Sequence, residues 1–162
     1  MVDLILGQWK KERPDLDTSP MGVIGRVSRL ELHLDRLLSE VFARYQLVRG
    51  EFDVLATLRR SGPPFRLNPK VMSSRLMLSS GAMTNRLDNL EARGLIRRIP
   101  DPSDRRALLI ELTPSGKALI DEALAAHVAN EDRILGPLNK KERRELATLL
   151  RKWLLSLEGG AE

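Results

Sequence analysis

The sequence predicts a mainly α-helical fold with one small β-hairpin. Two long segments carry apolar residues at alternating spacings of three and four, which is the period of an amphipathic helix. Between them, two β-prone runs flank a turn rich in proline and aspartate. A chain of 162 residues is long enough to bury one core. We therefore expect a single folded unit built around these elements.

Residues 1–20 form an N-terminal extension with a possible short helix. Three consecutive apolar residues precede Trp9, and Pro14 and Pro20 break the polar segment that follows. The tryptophan has to pack on something, because its large apolar surface is unfavourable in water. A simple hydrophobic anchor is the plainest interpretation of Trp9.

A long helix is predicted from about Met21 to Gln46. Its apolar stripe is wider than one packing partner needs, so the helix can pack on its own domain and on a second chain. His33 lies in it without a second ligand at metal spacing, so no metal site is expected. The stripe consists of Val23, Val27, Leu30, Leu34, Leu37, Leu38, Val41, Phe42 and Tyr45.

Gly50 precedes a mostly apolar helix that we expect from about Glu51 to Arg60. Asp53 lies among its apolar residues. A carboxylate in such surroundings needs a cation or a solvated edge. Residues 64–67 can then form a short strand beside the hairpin.

Next comes a pair of helices. An N-cap asparagine followed by Pro69 opens a short helix that runs to about Arg75. After an apolar turn, Ser79 or Ser80 caps a second helix, which Gly94 ends. The order of helix, turn and helix is that of a helix-turn-helix.

The second of these helices has two different faces. Met83, Leu87 and Leu90 repeat at helical spacing and predict a buried stripe. Small hydrogen-bonding residues on the other side suit a helix that enters a major groove, although an ordinary amphipathic surface helix fits equally well. That side carries Gly81, Thr84, Asn85 and Asp88, with Ser80 at its edge and Ser79 just before it.

The hairpin favours the nucleic-acid interpretation. Its predicted strands are Leu95–Ile99 and Leu108–Leu112, and they flank a turn that holds Arg105 and Arg106. Two arginines at a hairpin tip can be a solvated surface. Beside a helix-turn-helix, however, they can reach phosphates or a minor groove, as the wing of a winged helix-turn-helix does.

Two further helices are predicted at the C-terminus. The first begins at Pro114, capped by Thr113, and runs to about Ile134. The last one carries too much apolar surface for a helix left in water. Together with the first long helix it predicts a two-fold dimer interface, with packing on its own chain as the alternative. Its stripe consists of Leu146, Leu149, Leu150, Trp153, Leu154 and Leu157.

The positive charge is concentrated on the suspected nucleic-acid-binding segment. The formal net charge is +5 and the isoelectric point is near 10.0. Between Arg59 and Lys117, 12 basic residues stand against 5 acidic ones, so this segment nets +7 and the remainder nets −2. Double-stranded DNA is the polyanion that such a distribution fits.

Several functional classes are not expected. The chain has no cysteine, which removes disulfides, thiolate catalysis and cysteine zinc sites. We find no glycine-rich phosphate loop and no metal-spaced cluster, so neither an enzyme nor a cofactor is expected. Without a signal peptide or a run long enough to span a membrane, we expect a cytoplasmic protein.

The segment from Leu90 to Leu95, together with Asp104, Arg106 and Thr113, resembles the signature of the MarR family of dimeric bacterial transcription regulators. The resemblance implies a winged-helix dimer on a pseudo-palindromic operator. The helix from about Ser80 would read the major groove. Arg106 would enter the minor groove, held by Asp104.

This resemblance also divides the chain. Residues 50–113 would form the winged helix-turn-helix DNA-binding domain, and residues 21–49 and 114–162 would form the dimerisation helices. A winged-helix protein that mediates protein contacts or nonspecific DNA packing is the alternative function.

Arg86 is unusual for a residue on the inward flank of its helix. It lies about 60° from Met83 and about 40° from Leu90 around the axis, where an apolar residue would be routine. A guanidinium there needs a carboxylate or an anionic ligand. Asp53 is the available partner, and Arg98 could approach from the other side. A structural salt bridge between Asp53 and Arg86 is the alternative to a ligand site.

The same residues resemble the urate-responsive, PecS-like branch of the family. Trp9, Asp53, Arg86 and Arg98 match four ligand-site residues of that branch. The resemblance implies a small, planar, aromatic and anionic effector that stacks near the tryptophan and pairs with arginine.

Overall fold

The computed structural model describes residues 1–76, 80–104 and 107–159. Over these residues the chain forms seven helices and one three-stranded sheet. In chain order the elements are α1 (Val2–Glu12), α2 (Ser19–Arg44), α3 (Arg49–Arg60), β1 (Arg66–Leu67), α4 (Pro69–Leu76), α5 (Ser80–Ala92), β2 (Ile96–Pro100), β3 (Leu108–Leu112), α6 (Pro114–Ile134) and α7 (Lys140–Leu157).

The sheet is antiparallel, with β3 in the middle, β2 on one side and the short β1 on the other. Glu111 of β3 lies opposite Arg66 of β1 and opposite Arg97 of β2. Because side chains alternate along a strand, one sheet face carries these charges and the other carries the buried Ile96 and Ile110. The hairpin is therefore anchored to the core by one face only.

Helix α3 lies at the centre of the core. Seven of its residues are buried, among them Phe52, whose ring stacks on Phe42 of α2 with centroids 4.4 Å apart. Side chains from the helices and the sheet meet around it, so the segment from α3 to β3 and the flanking helices share one core. The largest fully buried side chains are Val54, Leu55, Thr57, Leu58, Met72, Leu90, Ile96, Ile110 and Ile120.

Helix α1 runs antiparallel to the first turns of α2. Val2 packs beside Gly25, and Leu6 packs beside Gly22. Asp3 also accepts a hydrogen bond of 2.6 Å from Arg26. This helix therefore covers the end of α2 that lies farthest from α3.

Helix α7 buries none of its residues in the single chain. It begins with a capping box in which Asn139 and Glu142 each accept a hydrogen bond from the other's backbone N–H. Arg143 pairs with Asp132 and holds this first turn to the end of α6. Beyond that turn an apolar stripe is left open, and it consists of Leu146, Leu149, Leu150, Leu154 and Leu157.

The mainly helical fold with a small hairpin is confirmed. Strand β3 spans the predicted residues, and β2 is shifted by one residue toward the hairpin tip. The short strand expected within residues 64–67 is the two-residue β1. Helix α5 ends at Ala92, and Gly94 adopts the left-handed conformation expected of a helix stop. No helix among the described residues is long and apolar enough to cross a membrane.

Candidate nucleic-acid interface and anion site

Helix α5 presents one face to the core and leaves the other open. Met83, Leu87 and Leu90 are buried, as the helical spacing predicts. The opposite face is exposed, and it carries Gly81, Thr84, Asn85 and Asp88. The backbone of Ser80 starts the helix, whereas Ser79 lies outside the described residues. This open face has the residue types that hydrogen-bond to base edges and phosphates.

The hairpin beside α5 ends in a tight turn. The N–H of Asp101 donates to the carbonyl of Ala107 (3.0 Å), and the N–H of Ala107 donates to the carbonyl of Asp104 (2.9 Å). The Asp101 carboxylate accepts hydrogen bonds from the hydroxyl and the N–H of Ser103, which lower the pKa of Asp101. Asp104 is exposed. Arg105 and Arg106 lie outside the described residues, so the contact between Asp104 and Arg106 stays a prediction.

Arg98 connects the base of the hairpin to α5. Its guanidinium pairs with Asp88 at 2.6 Å and also with Glu91. Its backbone N–H donates to the same Glu91 carboxylate at 2.8 Å. Both partners lie about 140° to 160° around the helix from Arg86. The structure therefore does not bring Arg98 and Arg86 together, and Arg98 fixes the hairpin against α5.

A second ion-pair group lies on the outer face of the sheet. The nearly buried carboxylate of Glu111 accepts a hydrogen bond from Arg66 at 2.6 Å and another from Arg97. The bond from Arg97 is the largest cause of the lowered pKa of Glu111, and that from Arg66 adds to it. These pairs join all three strands.

The hairpin also meets α6 through a close backbone contact. The hydroxyl of Thr113 donates to the carbonyl of Gly94 at 2.7 Å, and its oxygen accepts from the N–H of Gly116 at 3.0 Å. A Cβ atom on Gly116 would lie only 1.9 Å from the carbonyl oxygen of Leu95. The strand and the helix therefore meet without room for any side chain.

The guanidinium of Arg86 lies on the first turn of α3. A Cβ atom on Gly50 would lie 2.2 Å from Cζ and 2.3 Å from Nε of Arg86, so the glycine makes the space for this side chain. In the described part of the chain, no carboxylate oxygen lies within 4.0 Å of Arg86. The salt bridge to Asp53, which was the alternative to a ligand site, is therefore absent there, because Arg86 packs on the glycine backbone instead.

The same turn of α3 has no side-chain cap. Its N-cap residue is Val48, whose isopropyl group cannot accept a hydrogen bond. The Glu51 carboxylate accepts from the N–H of Val48 at 3.2 Å and from Nη1 of Arg93 at 3.4 Å. The N-terminus of a helix carries a partial positive charge from its aligned peptide dipoles. Arg86 thus lies at a helix start that already holds one carboxylate, that of Glu51, which is paired with Arg93.

Asp53 is half-buried on α3 near this turn. Burial raises the pKa of its carboxyl above the ordinary value. Four basic side chains oppose that increase through space, in decreasing order Arg49, Arg86, His127 and Arg60. The carboxyl therefore lies among cations without an ion pair at 4.0 Å or less within the described ranges.

His127 is a residue that the sequence reasoning did not place at a site. Its ring lies 4.9 Å from that of Phe52 and 5.2 Å from that of Phe42, and Nε2 lies 3.2 Å from the carboxylate of Glu131. Its Nδ1 is buried without a hydrogen-bond partner among the described atoms. One signal was present in the sequence, since His127 lies one helical turn before Glu131.

Trp9 is 41% exposed on α1. Since α1 packs antiparallel to the start of α2, its C-terminal end lies near Ser19. Gly50 follows the opposite end of α2, about 38 Å farther along the helix at 1.5 Å per residue. Within one chain, the structure therefore does not bring Trp9 to Arg86.

Comparison with known proteins gives consistent matches. A family model described as "MarR family" matches residues 47–108. The chain is 47% identical over 149 residues to the transcriptional regulator PecS of Dickeya dadantii, which covers 92% of this chain and 90% of PecS.

Solved structures agree. A MarR variant from E. coli complexed with operator DNA has a TM-score of 0.72 at 26% identity and covers 90% of this chain and 97% of MarR. BpsR of Bordetella bronchiseptica, whose DNA binding is described as regulated by 6-hydroxynicotinic acid, has a TM-score of 0.71 at 27% identity. That match covers 81% of this chain and 91% of BpsR.

Proposed function

This chain belongs to the MarR family of winged-helix transcription regulators, and from that premise we propose that it is a dimeric repressor that a small aromatic anion releases from its operator. The observation that carries the proposal is the open polar face of α5 beside a hairpin fixed to it by Arg98. A rigid pair of helix and hairpin can read a major groove and an adjacent minor groove at once.

The residues proposed to touch DNA follow from this placement. Gly81, Thr84 and Asn85 lie on the exposed face of α5. Ser80 starts that helix, and backbone N–H groups at a helix start suit a phosphate. Ser79, the preceding residue in the sequence, is proposed to contact DNA as well. Arg105 and Arg106 are proposed to reach the minor groove, with Asp104 positioning Arg106.

A second copy of the chain is the proposed partner in solution. The apolar stripe of α7 is left open, with Leu149 65% and Leu157 70% exposed, and Val23 and Leu30 of α2 are exposed as well. Burying these surfaces against each other is favourable in proportion to their apolar area. A two-fold dimer also matches a pseudo-palindromic operator with half-sites about one helical turn, or 34 to 36 Å, apart.

The proposed effector site is the first turn of α3. An anion there would pair with Arg86, which lacks a carboxylate at 4.0 Å or less in the described chain. It would also accept hydrogen bonds from the uncapped helix start after Val48. The aromatic part of the ligand is proposed to stack on Trp9. Because Trp9 and Arg86 are far apart within one chain, this tryptophan has to come from a second chain.

Release follows from the position of Arg86 on the inner flank of α5. An anion that draws Arg86 off Gly50 moves α5 relative to α3, and the two half-site helices of the dimer lose the spacing that the operator requires. A complete shift from 1:99 to 99:1 needs about 5.5 kcal/mol of difference in ligand affinity between the two forms. The ligand must therefore strongly disfavour the DNA-bound form.

The DNA-binding part is tested by gel shift at fixed salt with an operator duplex and a random duplex of equal length. We expect binding to the operator to be at least about a thousandfold tighter, and R106A to weaken it about tenfold or more. R29A, which removes an exposed arginine from α2, is the matched control. Equal affinity for both duplexes would instead favour nonspecific DNA packing, and unchanged binding by R106A would remove that residue from the interface.

The effector part is tested by isothermal titration with urate. We expect heat of binding with the parent protein and a much weaker affinity in R86Q. The variant R98Q distinguishes two roles for Arg98, contact with the ligand and attachment of the hairpin to α5. If Arg98 acts through the hairpin, R98Q keeps its affinity for urate while its affinity for the operator falls. Absence of heat with the parent protein would reject urate as the effector and leave the DNA-binding proposal standing.

A further inference from the structure

We propose that the groove between α2 and α6 is a second anion-binding site, which takes a small molecule that joins an oxyanion to an apolar body. The groove holds a cavity of about 380 Å³, which is within the range of small-molecule pockets, roughly 300 to 1,000 Å³. Its lining consists of Val41, Arg44, Ala126, Ala129, Asn130 and Arg133.

The floor of this groove is apolar and has room for a ligand. Val41 is only 4% exposed, and Ala126 and Ala129 are three residues apart on the same side of α6. Alanine side chains are short, so they leave space between two helices that larger residues would fill. The floor therefore suits the apolar body of a small molecule.

Two cations stand on opposite walls of the groove. Arg44 is the last residue of α2, and Arg133 lies in the last turn of α6. Among residues 1–76, 80–104 and 107–159, neither arginine has a carboxylate within 4.0 Å. No acidic side chain is among the described residues that line the groove. Its charge is thus positive and uncompensated by the protein.

Asn130 holds one of these cations in place. Its side chain is nearly buried, and its amide donates to the carbonyl of Leu37 at 3.2 Å. Its amide oxygen accepts a hydrogen bond of 2.8 Å from Nη2 of Arg133. A neutral amide orients the guanidinium without cancelling its charge, and guanidinium has five N–H donors in all. Arg133 is therefore positioned to bind an oxyanion with the donors that remain.

Each arginine also has a simpler explanation, because a cation near a helix C-terminus interacts favourably with the helix dipole. That explanation accounts for Arg44 and Arg133 separately. It does not account for the cavity between them or for the buried amide that orients one of them. An anion between the two walls accounts for all three observations.

This groove is separate from the proposed effector site. His127, whose ring lies 4.9 Å from that of Phe52, the residue before Asp53, lies about 120° around α6 from Arg133. The inference does not depend on Arg86, so the two sites can be tested independently.

The experiment is isothermal titration of R86Q protein, which lacks the arginine of the effector site, with benzoate, phenyl phosphate and inorganic phosphate. We expect at least one of the two organic anions to bind, and to bind more tightly than inorganic phosphate. Comparison of benzoate with phenyl phosphate shows which oxyanion the groove prefers. Adding R44Q or R133Q should weaken binding at least about tenfold, because each removes a charged hydrogen-bond donor.

R29Q in the same background is the matched control and should leave the affinity unchanged. Circular dichroism melting of each variant establishes that it is folded. The proposal is overturned if neither organic anion binds, if inorganic phosphate binds as tightly as both, or if R44Q and R133Q leave the affinity unchanged. Loss of the dimer in R44Q without loss of anion affinity would assign the arginine to a contact with a second chain and would also overturn it.

Discussion

The junction of α5, the hairpin and α6 differs sharply from the first turn of α3, although α5 takes part in both. At the junction, Arg98 has two carboxylate partners and Gly116 contacts the carbonyl of Leu95. At the turn, Arg86 has no carboxylate within 4.0 Å in the described chain and rests on Gly50. The helix start there also has no side-chain cap.

This difference separates a rigid part of the molecule from an adjustable one. Where every charge has a partner, movement costs hydrogen bonds and ion pairs. Where a cation has no ion pair, it can move toward an anion without breaking one. The two glycines make the same distinction, because a Cβ on Gly116 would meet backbone whereas a Cβ on Gly50 would meet only the end of a flexible side chain.

The largest effect is expected from G116A. Its new methyl carbon would lie 1.9 Å from the carbonyl oxygen of Leu95, which belongs to fixed backbone. We expect the free energy of unfolding to fall by about 1 to 3 kcal/mol, measured by urea denaturation. G7A is the control, since nothing lies within 4 Å of its new Cβ and alanine favours a helix. A G116A protein as stable as G7A would show that the junction is not rigid.

Compared with G116A, we expect G50A to change stability less and ligand binding more. The methyl group would occupy the place of the Arg86 guanidinium, which can rotate away at little cost. We expect less than about 1 kcal/mol of destabilisation and a marked loss of urate heat in titration. In an R86Q background, G50A should have no further effect on binding. An additional loss there would mean that Gly50 acts independently of Arg86.

The smallest effect is expected from D53N, and it depends on pH. Burial raises the pKa of Asp53 in the folded protein above its ordinary value of 3.8. The folded state therefore holds this proton more tightly than the unfolded state, and its stability falls as pH rises through the raised pKa.

D53N removes this loss of stability. We expect the variant to melt at a higher temperature than the parent at about pH 7, and the difference to shrink as pH falls toward the ordinary pKa of the carboxyl. A difference that stays constant over that range would show that the carboxylate is not destabilised by burial. D15N is the control, because hydrogen bonding to Arg13 lowers the pKa of Asp15 instead.

Local patterns predicted most of the fold. The buried stripe of α5, the ends of β3 and the stop at Gly94 follow from the spacing of apolar residues and from turn chemistry. These features depend on neighbours in sequence. Packing between elements changes them only by one or two residues.

The charge pairs were harder to predict, because they depend on how elements are rotated against each other. Sequence reasoning offered either Asp53 or an anionic ligand as the partner of Arg86, and it did not foresee that the guanidinium would lie against Gly50. It also left Arg98 near the ligand, although Asp88 and Glu91 lie three residues apart on one side of α5 and could have indicated a shared cation.

Because the apolar stripe of α7 is unburied in the single chain, we expect operator binding to depend on the concentration of the protein itself. In the proposed dimer, α7 is covered only when two chains meet, so folding and assembly become one reaction whose midpoint depends on protein concentration. Below the dissociation constant, the dimer population rises as the square of the chain concentration. Occupancy of an operator would then respond more steeply to synthesis of the repressor than a monomeric binder could, before any effector is present.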